Sequence, residues 1–443
     1  MQLTDTLQTI LNNLGIAKLN QIQEEAFDAI LNEPETMLLA PTGSGKTLAF
    51  LLPIFTKLNA EDKKVQCLIL TPSRELAIQI EQVWKKMATG FKVNACYGGH
   101  SMTVEKKNLS EPPALLVGTP GRIADHITRH SLDLSNITTL ILDEFDRSLT
   151  MGFHDQMSYI CRNLRKIKTK VLVSATVQIE IPAFTGIENP CVLDFTQETT
   201  EESPLKLQTV FSDSKDKIDC LFQLLCTLGA SSTIVFCNHR EAAERTSTML
   251  WEMGIENAFF HGGMEQIDRE RTLIQFRNGS THFLIASDLA ARGLDITAIK
   301  NIIHYHLPIK NEDFIHRNGR TARMHNEGNA YVIMHHDEVV PKYLDPLPET
   351  FSLNEDVILP QRSLWTTLYI GGGKKDKLSK GDVVGFLMKV GKLEKDDIGM
   401  IELIDFMTFV AVKKAKFKTL LPIIRQEKLK GKKYKMQETV LNR

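Results

Sequence analysis

Three things are scarce in this 443-residue chain, and each scarcity excludes a class of protein. Cysteine is thin: seven residues, at 67, 96, 161, 191, 220, 226 and 237, with no C-x-x-C pair among them. That spacing speaks against a zinc ribbon or a disulfide-built scaffold and for a reducing, cytoplasmic setting. Long apolar runs are missing; no stretch approaches the roughly 18 residues of a membrane span, so no membrane partner is expected. The opening MQLTDTLQTILNNLG has no basic cluster before its apolar positions, which argues against a signal peptide. Leu3, Leu7, Ile10, Leu11 and Leu14 predict an amphipathic helix there instead. Net charge is also nearly absent, at −1, but that value hides a division. Ser363–Arg443 holds 18 Lys and Arg against 9 Asp and Glu, which leaves the remainder acidic. A basic tail on an acidic body predicts a polyanion-binding appendage.

What is present is a recurring pattern. Short apolar runs at 36–40, 67–70, 114–118, 139–143 and 171–176 each lead into a turn and then into helical spacing. The pattern restarts at 233–238, 282–288 and 301–308. Continuous apolar strands alternating with helices predict parallel sheets covered on both faces, in two α/β domains over residues 1–200 and 205–340. A segment with four prolines, 341–362, reads as a linker. Residues 363–443 carry a β, α, β, β, α, β pattern, a small α+β domain.

TMLLAPTGSGKT is the sharpest chemical signal. A strand ending at Ala40 runs through Thr42, Gly43, Ser44, Gly45, Lys46 and Thr47 into a helix. Glycines let successive N–H groups converge on phosphate oxygens, Lys46 reaches the terminal phosphates, and Thr47 offers its hydroxyl to Mg²⁺. Asp143 and Glu144 end the apolar strand at 139–142, on the side of an open sheet where ligands bind. Asp143 suits the Mg²⁺ shell and Glu144 the general base for an attacking water. The chemistry implied is hydrolysis of a nucleoside triphosphate.

The other motifs arrive in order: PSRELA (72–77), GG (98–99), TPGR (119–122), DEFD (143–146), SAT (174–176), ASDLAARGLD (286–295) and HRNGRTAR (316–323). Over essentially the whole chain the sequence resembles the DEAD-box RNA helicases. The resemblance implies two RecA-like parallel-sheet domains and an RNA-stimulated, ATP-dependent helicase acting as a monomer. It implies that Gln23 reads adenine, that Asp295 contacts the ribose, and that Arg320 and Arg323 are arginine fingers. Asp146, Ser174, Thr176 and His316 would couple hydrolysis to strand separation. Arg74, Gly99, Thr119 and Arg122 of the first domain, with Arg269, Ser287 and Gly293 of the second, would contact the RNA backbone. Some positions depart from the pattern: Phe145 stands where the family has Ala, Leu19, Asn20 and Gln21 replace Pro-Thr-Pro, and Ser287 replaces Thr.

The tail, with Gly371-Gly372-Gly373-Lys374-Lys375, Gly381-Asp382 and Ile398-Gly399, resembles the C-terminal RNA-binding domain of DbpA-type helicases, a variant RRM. Tyr369 and Phe409 fit RRM stacking positions, but Met407 and Val412 stand where further aromatics belong. Lys374, Lys375 and their neighbours offer a phosphate-binding route instead. The resemblance implies a large-subunit ribosomal RNA target and a role in assembling that subunit. Two alternatives stay open on the sequence: an ATP-gated RNA clamp with little unwinding, and a DNA-directed motor of the same superfamily.

Overall fold

The computed structural model describes residues 5–41, 43–99, 102–176, 180–196, 205–287, 299–321, 328–354 and 356–442. The chain divides into two compact units near residue 203.

The first unit is one seven-stranded sheet. Its strands are β1 (Glu35–Leu39), β2 (Cys67–Leu70), β3 (Val93–Cys96), β4 (Leu115–Gly118), β5 (Thr139–Leu142), β6 (Thr169–Ser174) and β7 (Cys191–Asp194). They lie in the order β3-β4-β2-β5-β6-β1-β7, every pair parallel. The strand period of two explains why apolar residues run on without a break. Cys67 and Ile69 enter one core while Leu68 and Leu70 enter the other, as Leu38 and Met37 do on β1. The strand order also sorts the motifs. Loops carrying residues 40–47, 143–146 and 174–176 leave the carboxyl ends of β1, β5 and β6, three neighbours. Loops carrying Arg74, Gly99 and Thr119–Arg122 leave β2, β3 and β4, the other neighbouring three. The N-terminal helix forms as Asp5–Leu14, burying Leu7, Ile10 and Leu11.

The second unit holds a six-stranded parallel sheet and a four-stranded antiparallel one. The parallel strands are β8 (Leu205–Ser212), β9 (Thr233–Cys237), β10 (Ala258–Phe260), β11 (Phe283–Ser287), β12 (Asn301–His304) and β13 (Gly328–His335), in the order β10-β11-β9-β12-β13-β8. The segment 341–362 is tied down along this sheet: Thr209 N–H donates to Glu349 O and accepts at its own carbonyl from Phe351 N–H, whose ring meets Tyr331 edge-on.

The last module is β14 (Trp365–Ile370), helix Lys380–Lys389, β15 (Ile398–Leu403), β16 (Thr408–Lys413), helix Lys414–Ile424 and β17 (Met436–Thr439), with sheet order β15-β16-β14-β17. The first helix is set by a capping box, Ser379 with Asp382. Leu368, Ile370, Val410 and Val412 face the module's own core. The opposite sheet face lies on the parallel-sheet domain of the same unit. Asn278 Nδ2 donates to Thr367 Oγ1 at 2.9 Å, Gln275 Nε2 to Thr439 O at 2.8 Å, and Arg277 pairs with Glu402 at 2.8 Å. Phe409 is fully buried there, and the Arg271 guanidinium sits 5.7 Å from the Tyr369 ring centre. The two aromatics that fit RRM stacking positions are therefore spent on this joint, which leaves the lysine-rich turns exposed.

Among the described residues no helix is long and apolar enough to cross a membrane. None of the seven cysteines is in a disulfide, and Cys67 and Cys237 are buried as expected.

Candidate nucleotide and RNA site

The phosphate loop needs its glycines. Gly43 and Gly45 have φ of +88° and +92°, a region that side chains avoid, and a Cβ on Gly45 would lie 2.5 Å from Gln23 Nε2. Helix Lys46–Lys57 starts directly after Gly45 and points its free N–H groups at the loop. Lys46 Nζ donates to Ala40 O and Pro41 O, both at 2.7 Å, so the ammonium lies across the loop's mouth. Thr47 stands beside it in the first turn of that helix. Thr42 lies outside the described residues. Gln23 is held at the loop by a neighbour that motif reading treats only as a departure. Asn20 caps helix Gln21–Asn32 in a reciprocal box with Gln23, and its Nδ2 donates to Ser44 O at 2.9 Å. An Asn-x-x-Gln spacing is the signal that could have found it.

Beside the loop sits a cluster of carboxylates. Asp143 is buried and accepts from Glu144 N–H at 2.9 Å. Glu144 takes a left-handed backbone, φ 45° and ψ 50°, a costly choice for a residue with a side chain. Its carboxylate pairs with Arg147 at 3.0 Å. Arg147, almost wholly buried, is a site residue that the motifs did not single out. Asp146 Oδ2 accepts from Thr176 Oγ1 at 3.1 Å, and Ser174 Oγ accepts from Thr176 N–H at 3.0 Å. Burial is the largest cause that raises the Asp143 carboxyl above the usual range; Glu144 adds to it and Lys46 opposes. Burial likewise lowers the Lys46 ammonium, against the pull of Asp143, Glu144 and Asp146. Phe145 points away from this chemistry, 1% exposed in the core with Leu142, Met157 and Ile160.

The donor set suits a hard divalent cation. Three carboxylates share the cluster with the cations Lys46 and Arg147, and Asp146 Oδ1 is buried with no partner. The Asp143 carboxylate and Thr47 hydroxyl are oxygen ligands of the kind Mg²⁺ takes.

On the other half of the sheet edge, Arg74 opens helix Arg74–Met87 behind the Ser73 cap, and its Nη2 lies 3.3 Å from where a Cβ on Gly98 would stand. Gly99 has φ +95°. Thr119 is the N-cap position of helix Pro120–Thr128, which carries Arg122. Arg74, Gly99, Thr119 and Arg122 thus sit on adjoining loops. In the second unit, Arg269 is buried with its guanidinium 5.2 Å from the Phe260 ring centre, and Ser287 ends β11. His316 and Arg320 are buried at and just after helix Asn311–Asn318. Gly293, Asp295 and Arg323 lie outside the described residues. Lys374 and Lys375 are exposed in the turn after β14.

Family comparisons cover three stretches: the DEAD/DEAH box helicase family over residues 20–183, the helicase conserved C-terminal domain over 216–325, and the DbpA RNA binding domain over 367–438. The ATP-dependent RNA helicase DbpA of Bacillus subtilis is 30% identical, spanning 99% of this chain and 98% of its own. Its Escherichia coli counterpart is 34% identical, over 96% and 95%. A solved structure of Saccharomyces cerevisiae Dbp5 bound to RNA and ADP BeF3 matches with a TM-score of 0.67 at 29% identity, covering 78% of this chain and 90% of that one. The two parallel sheets are therefore RecA-like domains, and the chain belongs to the DEAD-box family as an ATP-dependent RNA helicase of the DbpA type.

Proposed function

We propose that this helicase remodels large-subunit ribosomal RNA during assembly of that subunit, held to its target by the C-terminal module. The observation that carries the reading is the module's lysine-rich surface. Turn Lys374–Lys377 lies against loop Lys430–Lys433, joined by Lys430 Nζ to Lys377 O at 2.8 Å and Lys432 Nζ to Asp376 Oδ1 at 2.6 Å. With the sheet face committed to the neighbouring domain, phosphate and shape recognition by these lysines is the route left for structured RNA. A module held to the motor domain raises the concentration of nearby duplex at the motor.

In the nucleotide site, Gln23 and Asp295 read the nucleoside, the backbone of 40–45 cradles the phosphates, and the Lys46 ammonium turns from loop carbonyls to phosphate oxygens. Thr47 and Asp143 would hold Mg²⁺, which neutralises charge on the phosphate oxygens when bound. Glu144 accepts the proton of the attacking water, with Arg147 holding its carboxylate in place. Arg320 and Arg323 stabilise charge on the transferred phosphoryl group. The Asp146–Thr176–Ser174 bonds, with His316, pass the state of the site to the RNA-contact loops. Arg74, Gly99, Thr119, Arg122, Arg269, Ser287 and Gly293 grip the backbone without reading sequence.

Strand displacement tests this reading. A short RNA duplex is offered with and without an adjoining large-subunit ribosomal RNA hairpin, and with ATP. Faster displacement beside the hairpin is the expected result. Equal rates would end the tether reading, and hydrolysis without displacement would favour the clamp.

A further inference from the structure

One buried group in the first unit belongs to none of the motifs. Glu105, in helix Met102–Leu109, is 6% exposed, yet it is a carboxylate and needs partners to be tolerated there. It has three. Oε1 accepts from the Tyr97 N–H at 3.3 Å. Oε2 lies 2.8 Å from His126 Nε2 and 3.6 Å from Arg122 Nη1. A carboxylate only accepts, so Nε2 carries the proton; Nδ1 meets Ser131 Oγ at 2.8 Å. Tyr97 immediately precedes Gly98-Gly99, and Arg74 packs on Gly98. Through Glu105, the loop after β3 and the helix after β4 are held in one register.

Cys96, Glu105 and His126 also lie close enough together to suggest a metal site. The chemistry opposes it. Both His126 nitrogens are engaged, burial pushes the Cys96 thiol far up from thiolate, and the Arg122 cation already faces the carboxylate. The cluster is an anchor for a cation.

We propose that Glu105 is a positioning residue for RNA binding: its carboxylate fixes the Arg122 guanidinium and the Gly98-Gly99 turn in the arrangement that meets RNA phosphates. The proposal rests on the reading of Arg122 and Gly99 as RNA contacts. Glu105 touches no RNA itself. Its role is to remove the freedom of a long cationic side chain before binding, so that less is lost when RNA arrives.

The test uses the full chain, unstructured single-stranded RNA and ATP. The RNA concentration giving half-maximal ATPase stimulation is measured at several salt concentrations, together with the KM for ATP. Arg122→Ala raises the half-saturating RNA concentration about tenfold and flattens its salt dependence by roughly one counterion. Glu105→Ala raises it about three- to tenfold with the ATP KM moving less than about twofold, and in the Arg122→Ala background it adds less than about twofold, because the two act as one unit. Glu105→Gln keeps the shape and an acceptor for Tyr97 but loses the charge, and raises it about two- to threefold. If Glu105→Ala does not fold, Glu105→Gln decides alone. Wild-type RNA response in both Glu105 variants, with Arg122→Ala impaired, overturns the proposal and leaves the RNA-contact reading standing. An ATP KM that rises in proportion would assign Glu105 to general structure and overturn it as well. Wild-type response in Arg122→Ala would overturn the underlying reading first.

Discussion

The two halves of the first sheet's carboxyl edge solve opposite electrostatic problems on one scaffold. The β5-β6-β1 half gathers Asp143, Glu144 and Asp146 around Lys46 and Arg147, an arrangement with anionic excess that suits a metal-bound phosphate. The β3-β4-β2 half presents Arg74, Arg122 and two helix N-termini, with Glu105 as its buried counter-charge. In the first, charges press on one another in a desolvated cluster, so each is hard to replace. In the second, Arg74 is partly exposed, and the Arg122 side chain, 10% exposed, is held against the buried Glu105 carboxylate. Asp146, hydrogen-bonded to Thr176 from the loop after the next strand, belongs to the first half and keeps one buried oxygen without a hydrogen-bond partner.

Three variants sharpen that contrast. Lys46→Ala has the largest expected effect, a fall in ATP turnover of about a thousandfold or more, since it removes the phosphate loop's own cation, which the proposed mechanism turns onto the phosphates. RNA binding without nucleotide should stay intact, and losing both together would erase the division between the halves. Phe145→Ala comes next, costing about 3–5 kcal/mol in chemical denaturation of the first domain, because a fully buried ring leaves a cavity beneath Asp143 and Glu144. A cost below about 1 kcal/mol would show that the aromatic is not the packing element its burial implies. The double change Lys374→Ala with Lys375→Ala is mildest: affinity for structured RNA falls several-fold and the salt slope drops by roughly two, with RNA-free hydrolysis unaffected. An unchanged slope would remove these two lysines from the RNA surface.

Most central strands were readable because alternation feeds two cores at once: CLIL at 67–70 is β2 to the residue, although the interior strand β13 (Gly328–His335) was not singled out. Edge strands were not. Val93–Cys96 buries only its two ends, Cys191–Asp194 only half-buries alternate residues, and Ala258–Phe260 has three residues, too few to stand out from a loop. The motif loops announced themselves because local spacing makes the phosphate cradle. Contacts made across the fold were silent: Asn20 to Ser44, and Glu105 to His126, 21 positions on. Tyr369 and Phe409 teach a different limit. Alternation shows which face of a strand turns outward, but an outward aromatic on a sheet looks the same whether it meets RNA or, as here, a neighbouring domain.

The most direct measurement is the ATPase rate at one salt concentration with no RNA, with unstructured RNA, and with a large-subunit ribosomal RNA fragment. The account predicts low turnover alone, moderate stimulation by unstructured RNA, and strong stimulation by the ribosomal fragment at much lower concentration. Equal half-saturation by both RNAs would contradict it, since the C-terminal module would then add charge without choosing a target.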